Sequence, residues 1–266
     1  MSTRAALRLD AADSDHPASP LVAVQGVTIQ FGDRVVLENF DLAVHPGEFL
    51  CVIGRSGCGK TTLLRVVAGL TAPKAGVVSI AGRRVQHPGQ DSAMVFQADS
   101  LFPWRKVIDN ACFGLTSTGV RRSEARRRAL QWLDRVGLAG AKDLKPRQLS
   151  GGMRQRVNLV RALVTQPLVL LMDEPFAALD YQTREELQTE LIRLCQEAGT
   201  TVLFVTHDVT EATYLGDRII VLDTGVRNIK HTIRSPWGRD RPHSLKHTAR
   251  FAETCGVVWR ALTGGD

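Results

Sequence analysis

The stretch GRSGCGKTT (54–62) constrains this chain more than any other. It follows a continuous apolar run, FLCVI (49–53), and precedes TTLLRVVAGL (61–70), which has helical spacing and ends at Gly69. Strand, glycine-rich turn and helix form the context in which G-x-x-x-x-G-K-[ST] cradles phosphate. Gly54, Arg55, Ser56, Gly57, Cys58, Gly59, Lys60, Thr61 and Thr62 are the expected loop. Its glycines let consecutive backbone N–H groups turn toward one centre. The helix start adds partial positive charge, and Lys60 reaches the β- and γ-phosphates. The Thr61 hydroxyl is placed to hold Mg2+. FLCVI itself reads as a strand buried on both faces.

The remaining pattern extends this unit. LVAVQGVTIQF and LENFDLAV alternate apolar and polar residues, as half-buried antiparallel strands do, and GVVSIAGRRV reads as an edge hairpin. Residues 98–165 have a helical texture. Ser123 is the expected cap of a helix with Leu130, Leu133 and Val136 on one face, and a second helix is expected from Gly151 to Val164. LVLLM (168–172), TVLFVT (201–206) and RIIVL (218–222) return as strands, with a helix around REELQTELIRLCQEAG between the first two. That order predicts an α/β fold with a parallel sheet and crossover helices.

Composition bounds the partners. The 266 residues are 44% hydrophobic and 23% charged, a globular mixture, with a net charge of +7. The excess is either a solvated surface or a preference for an anionic partner: a nucleotide, a nucleic acid or the inner leaflet of a membrane. The basic run RRSEARRR (121–128) has no interleaved aromatics, so no nucleic acid is expected. Cys51, Cys58, Cys112, Cys195 and Cys255 form no CxxC pair and are odd in number, which predicts reduced thiols. Residues 1–20 are expected to be a loose leader without the apolar core of a secretory signal. No stretch approaches the roughly 20 apolar residues that span a bilayer, so work at a membrane would need another protein to do the spanning.

Several polar residues sit at strand ends. In LLMDEP, Asp173 is placed to hold Mg2+ through water, and Glu174 to act as base for an attacking water. Gln97, after a short strand, can contact Mg2+ or that water. His207, after TVLFVT, is either structural or a γ-phosphate contact that positions water. Phe31 is either core or a ring stacked on a base. LSGGMRQRV (149–157) adds a second anion-binding helix start, with Ser150, Gly151 and Gly152. With one phosphate loop per chain, an intramolecular task for it is hard to find. If two copies pack head to tail, Ser150 and Gly152 of each can cap the γ-phosphate held by Lys60 of the other.

GRSGCGKT, Gln97, LSGGMRQRV, LLMDEP, AALD ending at Asp180, and His207, in that order over about residues 22–222, resemble the nucleotide-binding subunit of ABC transporters. The resemblance implies a P-loop NTPase, RecA-like core with a mixed or parallel sheet, an antiparallel β-subdomain and an α-helical subdomain at about 98–165. It implies ATP and Mg2+, a nucleotide role for Asp180, and a dimer of the ATPase working on integral-membrane permease subunits at the cytoplasmic face of the membrane. An extracytoplasmic solute-binding protein would be an indirect partner. LFPWRKVIDN, DEPFAALDYQTREELQ and FVTHDVTEATYLGDRIIVL are similar, more finely, to nitrate/sulfonate/taurine-type importers, although Phe31 stands where tyrosine is commoner. Leu101, Phe102 and Trp104 are either a permease docking surface or packing within the helical lobe. The expected ATPase domain is 21–225. The tail after Val221, DTGVRNIKHTIRSPWGRDRPHS, fits the importer pattern poorly, and the extension at 226–266 has no role implied by the resemblance. Other ABC importers, exporters and non-transport regulatory ATPases are the alternatives. A chromosome-structure ATPase would need a long coiled-coil insertion between the two nucleotide motifs, and the sequence has none.

Overall fold

The structure is a computed structural model and describes residues 19–98, 100–224 and 227–264. The leader expected at 1–20 lies outside these residues except for its last two. The chain forms two compact units, one of Met1–Gly89 with Thr201–Asp266, the other of Gln90–Thr200.

The first unit opens with β1 (Val22–Phe31) and β2 (Arg34–Val44), an antiparallel pair that buries Val22, Val24, Val27 and Ile29 from β1 and Phe40, Leu42 and Val44 from β2. Every residue of β3 (Phe49–Gly54) is buried, as its unbroken apolar run predicts. It leads through the glycine loop into α1 (Lys60–Val67). β4 (Ala75–Ile80) pairs with β1, and β5 (Arg83–Arg84) closes the edge hairpin. The antiparallel sheet therefore runs β2-β1-β4-β5.

The second unit holds β6 (Ser92–Val95), α2 (Val107–Ala111), α3 (Phe113–Ser117), α4 (Arg122–Arg135), α5 (Gly151–Leu163), β7 (Val169–Asp173) and α6 (Tyr181–Ala198). β6 and β7 are parallel. Two sequence expectations are corrected here. Ser123 does not cap α4: the helix begins at Arg122, with Arg121 at the cap position and no side-chain cap. Leu133 and, at the C-cap, Val136 are buried as expected, but Leu130 is only half buried, and Ala125, Ala129 and Trp132 complete the buried face. The arginines of α4 are engaged at the surface: Arg127 and Arg128 pair with Glu124, and Arg122 and Arg126 with Asp109.

The chain returns to the first unit as β8 (Thr201–Thr206), α7 (Val209–Leu215), β9 (Arg218–Asp223), β10 (Asn228–Arg234) and α8 (Ala249–Thr263). β3 lies parallel between β8 and β9, and β10 adds an antiparallel edge to β9. β8 is buried throughout and β9 almost so. α7, β10 and α8 were not anticipated. No helix among the described residues is long and apolar enough to cross a membrane.

Candidate nucleotide-binding site

The loop after β3 has the backbone its glycines imply. Gly57 and Gly59 lie at φ 81° and 101°, in the region that disfavours side chains. Gly54 is needed for close approach: a Cβ there would sit 2.6 Å from Cys58 Sγ and 2.8 Å from the Leu222 carbonyl. Lys60 opens α1 and is buried, its ammonium donating to the carbonyls of Gly54 at 2.8 Å and Arg55 at 3.2 Å. A positive charge is thereby held at the centre of the loop. Arg55, Ser56, Gly57 and Thr61 are exposed and Thr62 is half buried. Burial pushes the Cys58 thiol above its ordinary range, although Lys60 beside it pulls the other way.

Neighbouring strands deliver further groups to this loop. Ile53 is registered with Thr206, so the loop and the exposed His207 leave the sheet at the same edge. Asp208 caps α7 just beyond, accepting from the N–H groups of Thr210 and Glu211. Phe31, half exposed, pairs with Arg34, whose guanidinium donates to the Gly57 carbonyl at 3.5 Å. Arg34 was missed by sequence reasoning; its only signal is a cation three residues beyond a candidate stacking ring.

The second unit assembles its own strand-end group. Val95 is registered with Met172, so Gln97 and the Asp173–Glu174 pair leave β6 and β7 at one edge. The Gln97 amide donates to Glu174 Oε2 at 3.4 Å. Asp173 is buried. Glu174 is held at φ 44°, a left-handed backbone that costs a non-glycine residue about 1–3 kcal/mol and persists only where surroundings impose it.

Ser150 caps α5, its hydroxyl accepting from the Met153 N–H at 3.2 Å. Gly152, in the first turn, is pressed against α6: a Cβ would meet Thr183 Cγ2 at 2.5 Å. Asp180 caps α6 through the Thr183 N–H at 3.0 Å, and that bond holds its carboxyl below the usual range. Ser150 and Asp180 thus each cap their own helix, and Thr183 lies at both helix starts. The trio after Gln97 divides. Leu101 is buried and Phe102 packs edge-on against Phe113 at 4.7 Å, while Trp104 is 69% exposed.

A buried strand, a left-handed glycine turn and a helix opened by a buried lysine define a P-loop nucleotide-binding protein. The ABC transporter family profile matches residues 37–177. The nitrate import ATP-binding protein NrtD of Synechocystis sp. is 45% identical over 241 residues, 88% of this chain and 91% of that protein. The taurine import ATP-binding protein TauB of Escherichia coli is 43% identical over 205 residues, 77% and 80% of the two chains. Among solved structures, a dimeric ATP-binding cassette in a post-hydrolysis state, bound to ADP and phosphate, superposes with a TM-score of 0.71 at 32% identity, covering 82% of this chain and all of that one. The chain belongs to the ABC transporter family. It is an ABC-type, ATP-binding ATPase, with the P-loop core, antiparallel β-subdomain and α-helical subdomain of that family.

Proposed function

We propose that two copies of this chain hydrolyse ATP head to tail and so drive uptake of a small anionic or sulfonated solute through a separate membrane permease. The observation that carries the hydrolytic reading is Glu174, held in a strained backbone at the end of β7 and bonded by Gln97. The nitrate and taurine import relatives support the direction and class of transport. Trp104 is the exposed apolar group offered to the permease at the cytoplasmic face of the membrane, and an extracytoplasmic binding protein would supply the solute.

In the proposed reaction water attacks the γ-phosphorus in line, the bond from that phosphorus to the β–γ bridging oxygen breaks, and ADP and phosphate are released. Glu174 accepts the water's proton, and His207 contacts the γ-phosphate and orients the water. Phe31 stacks on the base. Lys60 and the loop N–H groups of Gly54–Thr62 offset negative charge on the transferring group. Thr61, Gln97 and Asp173 would hold Mg2+, which when bound neutralises charge on the β- and γ-phosphates. Their donors are all oxygens, and no cluster of three or more His, Cys, Asp or Glu exists among the described residues. A hard cation that keeps waters and phosphates as ligands suits that set. Ser150, Gly151 and Gly152 of one copy cap the phosphate held by the other, with Asp180 alongside.

Glu174→Gln tests the reading. Phosphate release should fall by about 10²–10⁴-fold, and cells carrying the variant should lose uptake of labelled nitrate or taurine, while ATP binding by the protein persists. Unchanged turnover rejects Glu174 as the base. Loss of hydrolysis with uptake of both solutes intact rejects the transport reading.

A further inference from the structure

After β10 the chain turns back across α7 and grips its C-terminal end. The Trp237 indole N–H donates to the Thr213 carbonyl at 3.3 Å, and the ring stacks on Phe251 at 5.7 Å. The Arg241 side chain is only 2% exposed. Its guanidinium donates to the carbonyls of Tyr214, at 3.1 Å, and Leu215, pairs with Asp217, and donates to the Gly238 carbonyl at 3.0 Å. The fully buried Tyr214 returns a bond from its hydroxyl to the Arg241 carbonyl at 2.9 Å, and the Lys246 ammonium lies 4.0 Å above its ring. The last carbonyls of a helix lack partners within it, and Arg241 supplies them.

The other end of α7 holds the backbone around His207. Asp208 caps the helix, and its own N–H donates to Thr206 Oγ1 at 3.0 Å. That hydroxyl donates to Glu211 Oε2 at 2.7 Å. α7 has seven residues, so about 10 Å of helix separates the gripped end from His207. A helix this short moves as one piece. The Arg241 guanidinium is buried while the Asp217 carboxylate is 27% exposed. Burying one charge of a pair costs desolvation that cancels much of the attraction, so the pair is weak evidence for stability. Fixing a position is a better account of it.

We propose that Arg241 is a positioning residue for ATP hydrolysis: by holding the C-terminal carbonyls of α7, it sets where that helix presents His207. The proposal rests on the reading of His207 as a phosphate and water contact. It gives the C-terminal segment a task within its own unit.

The test is steady-state hydrolysis by the full chain as Arg241→Met, Tyr214→Phe and His207→Ala, and with each of the first two combined with the third. Misplacement of a reacting group by about 1 Å costs up to about 10²-fold. Arg241→Met should therefore lower kcat by about 10-fold, with the KM for ATP little changed, since Lys60 and its loop are untouched. Tyr214→Phe, a milder loss, should lower kcat by a smaller factor in the same direction. In the His207→Ala background neither change should lower kcat further. A full, additive loss in that background overturns the proposal, because Arg241 would then act without His207. Wild-type kcat in Arg241→Met also overturns it while leaving the His207 reading intact. Wild-type kcat in His207→Ala overturns that reading, and the proposal with it. Should Arg241→Met fail to fold, the Tyr214→Phe cycle decides by the same criterion.

Discussion

Burial sorts the five thiols. Cys195, within the buried face of α6, is pushed up to about 12 by desolvation, and Cys51 in β3 is also raised well above its ordinary range. Burial raises Cys255 too, but its side chain is only half buried. The thiolate is the reactive form. Pulsed alkylation at pH 8 followed by mass spectrometry should therefore mark Cys255 first, and Cys195 only once the chain unfolds. Early labelling of Cys195 would contradict its burial. The linkage has a sign. An unfolded thiol ionises near 8.5, so what Cys195 contributes is complete below that pH. It is lost as pH rises from about 9 toward 12, because only the unfolded chain ionises there. Other residues were legible for a different reason. Lys60, Gln97, Asp173 and Glu174 stand out as candidates because the sequence places each at or soon after a strand's end, and the structure finds them at those positions. Arg34 did not, because its approach to Gly57 depends on the pairing of β1 with β2 and leaves no spacing rule.

At the scale of elements, Gly152 sets how closely α5 meets α6. Alanine is better than glycine in a helix by about 1 kcal/mol, and forced overpacking costs about 1–3 kcal/mol. A Cβ at 2.5 Å from Thr183 Cγ2 makes the clash the larger effect. Gly152→Ala should therefore lower the melting temperature by several degrees. Thr183→Ser removes the offending methyl, and in that background Gly152→Ala should be neutral or stabilising. Calorimetry of the four proteins checks this; equal destabilisation in both backgrounds would place the strain elsewhere. The strands of the first unit were readable because burial follows period two in β1 and is unbroken in β3 and β8. α7 was not, since Glu211 through Leu215 are all buried and no polar face remains to show a helical period. α8 buries Phe251, Thr254, Val258 and Ala261, a helical spacing in which threonine, Gly256 and adjacent valines mask the apolar stripe.

For the whole molecule the question is what α5 does with its exposed start. The sequence texture marks a helical stretch at 98–165, whereas the compact unit Gln90–Thr200 also takes in β6, β7 and α6. Contacts define that unit, and residue type alone does not report contacts. Ser150 already caps its own helix, but one N–H acceptor bond leaves its hydroxyl proton and a lone pair to use. The proposed use is in trans. Two copies carry +7 each, so an anion placed between them would offset part of their repulsion. Two ATP molecules supply that charge, provided a positive helix start faces each terminal phosphate. In the Glu174→Gln background, ATP with Mg2+ should double the mass measured by light scattering. Adding Ser150→Arg puts a bulky side chain where the phosphate would be capped. At protein concentrations too low for association, the double variant should bind ATP as tightly as Glu174→Gln, since its own Lys60 loop is intact, and it should remain a monomer at concentrations where Glu174→Gln doubles in mass. If it dimerises normally, Ser150 is only a cap for α5. If it loses ATP affinity as a monomer, the α5 start serves the nucleotide of its own chain, and the head-to-tail arrangement is wrong.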